Sequence, residues 1–163
     1  MLGTVRNALA LQEVLEKGEL ETRVMTAISM ESIAEPFIRR RAMRHLEQGR
    51  VVIFAAGTGN PYFSTDTAAA LRAIQIHADV IIKATSVDGV YSADPKRDPD
   101  ATRYTEISYR DVMVNELCVM DQTAITHCKE NKRPIIVLNL HRHGTVHKAL
   151  QGHRGGRCVQ CTQ

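Results

Sequence analysis

A chain of 163 residues, 44% hydrophobic and 24% charged, suffices for one domain around a single buried core. Aromatic residues make up only 4% and Trp is absent, so there is little material for stacking nucleic-acid bases; a formal charge of +3 gives no reason to expect a polyanion. No apolar run approaches a membrane span, and the opening MLGTVRNALALQEVLEKG lacks the layout of a signal peptide, so neither nucleic acid nor membrane is expected as a partner.

In chain order, Leu2, Val5, Ala8, Leu11 and Leu15 recur by threes and fours, predicting a helix over residues 1–17 that Gly18 stops. Residues 22–28 alternate as a strand. Ser32 and Glu35 have capping-box spacing for a helix closed by Gly49, with Pro36 as the alternative start. The basic group Arg39, Arg40, Arg41 and Arg44 falls on that helix and is expected to be a solvated face. RVVIFAAG is a β-branched run suited to a strand buried on both faces. DTAAALRAIQIHA follows as a helix and ADVIIKATSV as a second buried strand. Residues 88–108 are rich in Gly, Pro and acids and predict a long loop or small hairpin. ISYRDVMVNEL and DQTAITHCKENK predict helices, RPIIVLNL a third buried strand, and HGTVHKALQG a last short helix. Cys158 and Cys161 form one C-x-x-C in a terminal tail, where fraying is expected; His141, His143, His147 and His153 nearby keep a zinc site as the alternative. The cysteine usage predicts a reduced, cytoplasmic protein.

Alternating strands and helices, with strands lacking polar alternation, predict a doubly wound, mostly parallel α/β sheet covered by helices on both faces. Ligands of such folds bind beyond the carboxyl ends of the strands, so the loops after residues 55, 84 and 140 become the candidates, with strands 50–56, 79–85 and 134–140 expected side by side. The first loop, AGTGNPYFSTD, offers Gly57 and Gly59 for positive φ and exposed N–H groups, with Thr58, Asn60, Ser64 and Thr65 as short hydrogen-bonding side chains. It leads into a helix N-terminus that favours a phosphate. An ordinary turn with Asp66 as a mere N-cap fits the spacing equally well. The second loop places Lys83, Thr85, Asp88, Tyr91 and Asp94 at or after a strand end, suiting a nucleotide; a structural Lys83–Asp88 pair is the alternative.

GTGNPYFSTD, KATSVDGVYSADP and the later VMD at 119–121 together resemble bacterial and plastid uridylate kinase, of the amino-acid kinase superfamily. The likeness runs from residue 1 to about 152, a partial amino-acid kinase domain, and leaves 153–163 as a tail without assigned role. It implies transfer of the γ-phosphate of ATP to UMP, giving UDP, with Mg²⁺ accompanying ATP. It also implies a homo-oligomer, a hexamer in the family, with GTP and UTP as effectors. By position, Thr58, Gly59, Asn60, Pro61, Tyr62, Phe63, Ser64 and Thr65 match the segment that wraps UMP. Asp66 matches the catalytic aspartate that organises groups around the transferred phosphoryl, and Thr85, Tyr91 and Asp94 match ATP contacts. No residue is assigned to a metal. Family members carry a K-L-S-G-like strand, a glycine-rich loop and an Arg ahead of the point where MLGTVRNAL starts, so the expectation is an N-terminally truncated kinase of doubtful activity. The alternatives are an inactive nucleotide-binding remnant and another phosphotransferase of the superfamily, such as a carbamate, acetylglutamate or aspartate kinase.

Overall fold

The computed structural model describes residues 1–93, 98–117, 119–151 and 157–160. The chain divides into two units, Met1–Ile76 and His77–Gln163.

In the first unit, helix α1 (Leu2–Lys17) packs against strands β1 (Thr22–Thr26) and β3 (Val51–Ala55). The expected helix over residues 1–17 is therefore present, and it ends at Gly18. Its buried Val5 and Ala8 join Val24, Ala34, Ala55 and Ala56 in one core, as the three- and four-residue spacing requires. β1 pairs in parallel with β3 over its whole length, from Thr22 opposite Val51 to Thr26 opposite Ala55. Its two buried threonines are satisfied locally, Thr22 Oγ1 donating to the Leu20 carbonyl at 3.0 Å and Thr26 Oγ1 to that of Ile28 at 2.7 Å.

The other edge of β1 carries a short parallel strand β2 (Glu35–Pro36), and here the sequence expectation needs correcting. Neither Ser32 nor Pro36 opens a helix. The residue before a proline is pushed toward extended backbone, and a proline without an N–H is tolerated on an edge strand. Helix α2 (Arg39–Glu47) starts after it, and Arg39, Arg40, Arg41 and Arg44 are exposed on it as expected. Helix α3 (Thr65–Gln75) follows β3.

In the second unit, β4 (Ile81–Thr85) pairs in parallel with β6 (Ile135–Asn139), Ile81 opposite Ile135 and Thr85 opposite Asn139. These two are neighbours as the apolar runs predict. β3, by contrast, pairs with β1 in a three-stranded sheet rather than joining β4. Between β4 and β6 an isolated antiparallel bridge joins Tyr91 to Arg103, and strand β5 (Glu106–Ser108), helix α4 (Tyr109–Val114) and helix α5 (Gln122–Glu130) follow. The predicted helix over ISYRDVMVNEL thus begins two residues late, at Tyr109. Its first residues are a strand with Ile107 buried, and Ser108 caps α4 by accepting from the Asp111 N–H at 3.0 Å. Helix α6 (Thr145–Leu150) follows β6.

The last described segment overturns the frayed-tail expectation. Residues Arg157–Gln160 form strand β7, antiparallel to β6 and parallel to β5, giving the order β4-β6-β7-β5. Cys161 of the C-x-x-C lies outside the described residues. The architecture is mixed α/β, and among the described residues the strands pair in parallel except β6 with β7.

Candidate functional site

The chain leaves β3 through a loop in which four of seven residues take positive φ: Ala56 (65°), Gly57 (64°), Gly59 (81°) and Tyr62 (65°). Such backbone is unfavourable for Ala and Tyr, and it persists only where its surroundings hold it. Ala56 is buried, and its N–H donates to Thr4 Oγ1 at 3.0 Å, tying the loop to α1. Gly59 must be glycine for space as well as for φ. A Cβ there would stand 3.1 Å from the Ala27 carbonyl oxygen. The Gly59 N–H closes a turn onto the Ala56 carbonyl at 3.1 Å, and the Asn60 N–H donates to Thr58 Oγ1 at 3.2 Å. The result is a preformed loop with its polar side chains outermost. Asn60, Pro61, Tyr62, Phe63, Ser64 and Thr65 are all exposed.

The loop runs into the N-terminus of α3, where Ser64 is the cap, accepting from the Thr67 N–H at 3.0 Å. Asp66 is therefore not the N-cap, and that alternative falls. It is a half-buried carboxylate in the first turn, a place the helix dipole favours for negative charge. Thus Thr58, Gly59, Asn60, Pro61, Tyr62, Phe63, Ser64, Thr65 and Asp66 are brought together as one continuous surface.

One residue here escaped the sequence reading. Arg72 is only 8% exposed, on the inner face of α3 with Ala68 and Ala73. Its guanidinium lies 3.9 Å from the centre of the Phe37 ring. Its Nη1 donates to Gln75 Oε1 at 2.7 Å and its Nη2 to the Gly57 carbonyl at 3.4 Å. The available signal was its position four residues after Ala68, on the apolar stripe of the helix.

The second unit holds a cleft of about 430 Å³, within the size range of small-molecule sites. Lys83 and Thr85 of β4, Val137 of β6, and Tyr91 line it together with Glu116 and Leu117 beyond α4. The Tyr91 hydroxyl donates to Asp88 Oδ1 at 2.5 Å. Arg103 Nη1 reaches Asp88 Oδ2 at 2.5 Å, and Arg142 Nη1 approaches the same oxygen at 3.4 Å. Asp88 therefore engages Tyr91, Arg103 and Arg142, whereas the sequence offered Lys83 as its structural partner. The Tyr91 hydroxyl, then the two arginines, hold the Asp88 carboxyl below its usual range despite partial burial, and the same bond raises the Tyr91 phenol. Thr85 and Tyr91 thus share the cleft, and Asp94 lies outside the described residues. Of the VMD stretch, Val119 and Met120 are buried and Asp121 caps α5, accepting from the Ala124 N–H at 2.9 Å.

The amino acid kinase family matches residues 1–139. The chain is similar to the UMP kinase from Bacillus anthracis, with 37% identity and a TM-score of 0.96, over 99% of this chain and 67% of that one. It is similar also to the UMP kinase from Ureaplasma parvum, with 34% identity and a TM-score of 0.93, over 98% of this chain and 68% of that one.

Proposed function

Because the chain belongs to the amino acid kinase family, we propose that it is a nucleoside monophosphate kinase that transfers the γ-phosphoryl of ATP to UMP, giving UDP and ADP. The observation that carries this reading is the preformed loop between β3 and α3, with its run of positive φ and its helix N-terminus, in a chain similar to two UMP kinases. A phosphate oxygen of UMP attacks the γ-phosphorus of ATP, and the bond from that phosphorus to the β,γ-bridging oxygen breaks. Positioning and charge neutralisation are what such a reaction asks of the protein.

In this reading Thr58, Gly59, Asn60, Pro61, Tyr62, Phe63, Ser64 and Thr65 hold UMP. The loop amides and the N-terminal turn of α3 supply donors to an anion without a lysine-bearing P-loop. Tyr62 and Phe63 expose ring surface for the nucleoside. Asp66 orients the cationic groups gathered around the transferred phosphoryl. Thr85, Tyr91 and Asp94 hold ATP at the cleft beside β4, where Tyr91 is kept in place by Asp88.

Mg²⁺ belongs to the reading as a companion of ATP. Among the described residues no group of three or more His, Cys, Asp or Glu is placed to hold a metal. Nucleotide-bound Mg²⁺ is usually carried chiefly by the phosphates with one or two carboxylates, so the reading asks for no dedicated protein cage. When bound, it would neutralise charge on the phosphate oxygens. A partial kinase domain over 1–152, cytoplasmic location, a homo-hexamer and GTP or UTP as effectors complete the reading on the strength of the resemblance. Among the described residues no helix is long and apolar enough to cross a membrane.

Isothermal titration with UMP and with ATP, followed by coupled measurement of ADP release, tests the proposal. Saturable binding of both, with UMP preferred over AMP and CMP, is expected. A chain that binds neither would refute it.

A further inference from the structure

We propose that Arg72 is a positioning residue for UMP: it pins the Gly57 carbonyl and thereby aims the amide side of the loop at the nucleotide phosphate. The inference rests on the reading of this loop as the UMP site.

Four observations lead to it. Arg72 is buried, yet the partners found on its guanidinium are neutral: the Gly57 carbonyl, the Gln75 amide oxygen and the Phe37 ring. Buried guanidinium groups are ordinarily matched with a carboxylate, since an unmatched charge is expensive to remove from water. Burial lowers the Arg72 pKa, but an arginine keeps its proton throughout the working range. Phe37 itself is fixed edge-on to Phe54 of β3, with ring centres 5.5 Å apart, so the platform under the guanidinium is rigid.

The geometry says what the cation does. The Gly57 carbonyl and the Thr58 N–H belong to one trans peptide plane and point in opposite directions. A hydrogen bond that draws the carbonyl toward α3 therefore turns the Thr58 N–H away from it. Two consecutive left-handed residues, Ala56 and Gly57, precede this plane, and the bond stops it from rotating between alternatives. The fork shape of the guanidinium matters because one nitrogen holds Gln75 of the same helix while the other holds the loop. The charge, not neutralised by any partner found on it, also adds positive potential beneath a loop meant for a dianion.

The test uses Arg72→Lys and Arg72→Met in the whole chain, with three measurements. Titration with UMP is expected to show about a 10-fold weaker Kd in both variants, the loss of one charge-assisted hydrogen bond of middling geometry. ATP affinity is expected to stay within 2-fold of the parent. Without any ligand, amide exchange at Gly59 and Asn60 is expected to speed up in both variants while β1 and β3 stay protected. Thermal melting separates this from a simple loss of packing. Met removes a buried charge that no carboxylate among the described residues matches, so its melting temperature should hold or rise while UMP affinity falls. Full retention of UMP affinity by Arg72→Lys would overturn the positioning role, since charge alone would then suffice. Parallel loss of UMP and ATP affinity, or unchanged exchange at Gly59 and Asn60, would overturn it too. A parent chain that fails to bind UMP while binding ATP would instead sink the reading of the loop, and the Arg72 inference with it.

Discussion

Replacing Gly59 and Gly57 separately by alanine asks how much of the loop is fixed by backbone angle and how much by close approach. Both glycines have positive φ, 81° and 64°, so each alanine bears the left-handed penalty of about 1 kcal/mol. Alanine also restricts the unfolded chain, which returns about 0.5 kcal/mol in each case. The difference lies in space. The added methyl at residue 57 meets nothing within 4 Å, whereas at residue 59 it stands 3.1 Å from the Ala27 carbonyl oxygen and 3.2 Å from the Ala27 Cβ. Ala27 cannot yield freely, because its N–H is bound to the Ala55 carbonyl at 3.2 Å, at the end of β1 and β3. Forcing that contact adds roughly 1–3 kcal/mol, as overpacking does elsewhere. Gly59→Ala should therefore destabilise by about 2–3 kcal/mol and Gly57→Ala by less than about 1 kcal/mol. Urea titration followed by far-UV circular dichroism measures both. Equal losses would show that the contact with Ala27 is not a constraint.

In a form with full activity, Asp66→Asn should lower turnover by about 10²-fold or more while leaving UMP affinity within a few-fold, because Ser64 keeps the helix cap; unchanged turnover in the ADP-release assay would remove Asp66 from the mechanism. Asp88→Asn should free Arg103 and Arg142 and weaken ATP binding at the Tyr91 cleft, measured by titration. The carboxyl of Asp88 is held low in the folded chain, so its stabilising contribution is present above the ordinary Asp range and is lost as pH falls through the lowered value. The Asn variant should lose that part of the acid-side slope in denaturation experiments. Burial pushes the Cys128 thiol up to about 11, so the folded chain keeps a proton that the unfolded chain releases from about pH 8.5 upward. Stability from this group should be whole below that pH and decline as pH rises toward 11. Alkylation of Cys128 at pH 8 should be slow until the chain is unfolded.

The parts legible in the sequence are those whose signal is local. α1, β3, α3, β4, α5 and β6 each carry a run of apolar residues at the right period, and their neighbours in the chain punctuate them. The loop from Gly57 to Asp66 was legible for the same reason: its glycines, hydroxyls and helix start are contiguous. What stayed hidden depends on partners far along the chain. β2 is a Glu-Pro pair, β5 only three residues, and β7 lies in a tail without apolar periodicity; each is a strand because another strand lies beside it. Nothing local in AAALRAIQ announces that Arg72 will meet Phe37 and the Gly57 carbonyl. The alliance of Asp88 with Arg103 and Arg142 bridges 15 and 54 residues of chain for a similar reason.

The place of β7 has a consequence for synthesis. Because it lies between β6 and β5, the second unit cannot finish its sheet until residues 157–160 have emerged from the ribosome. Until then β5 has no strand beside it, and β6 offers a bare edge able to recruit another chain. The three strands and covering helix α1 of the first unit all lie within residues 1–55. Newly made chains should therefore pass through a stage in which the sheet of the second unit is still open, and that stage is where crowding or a missing chaperone would do most harm.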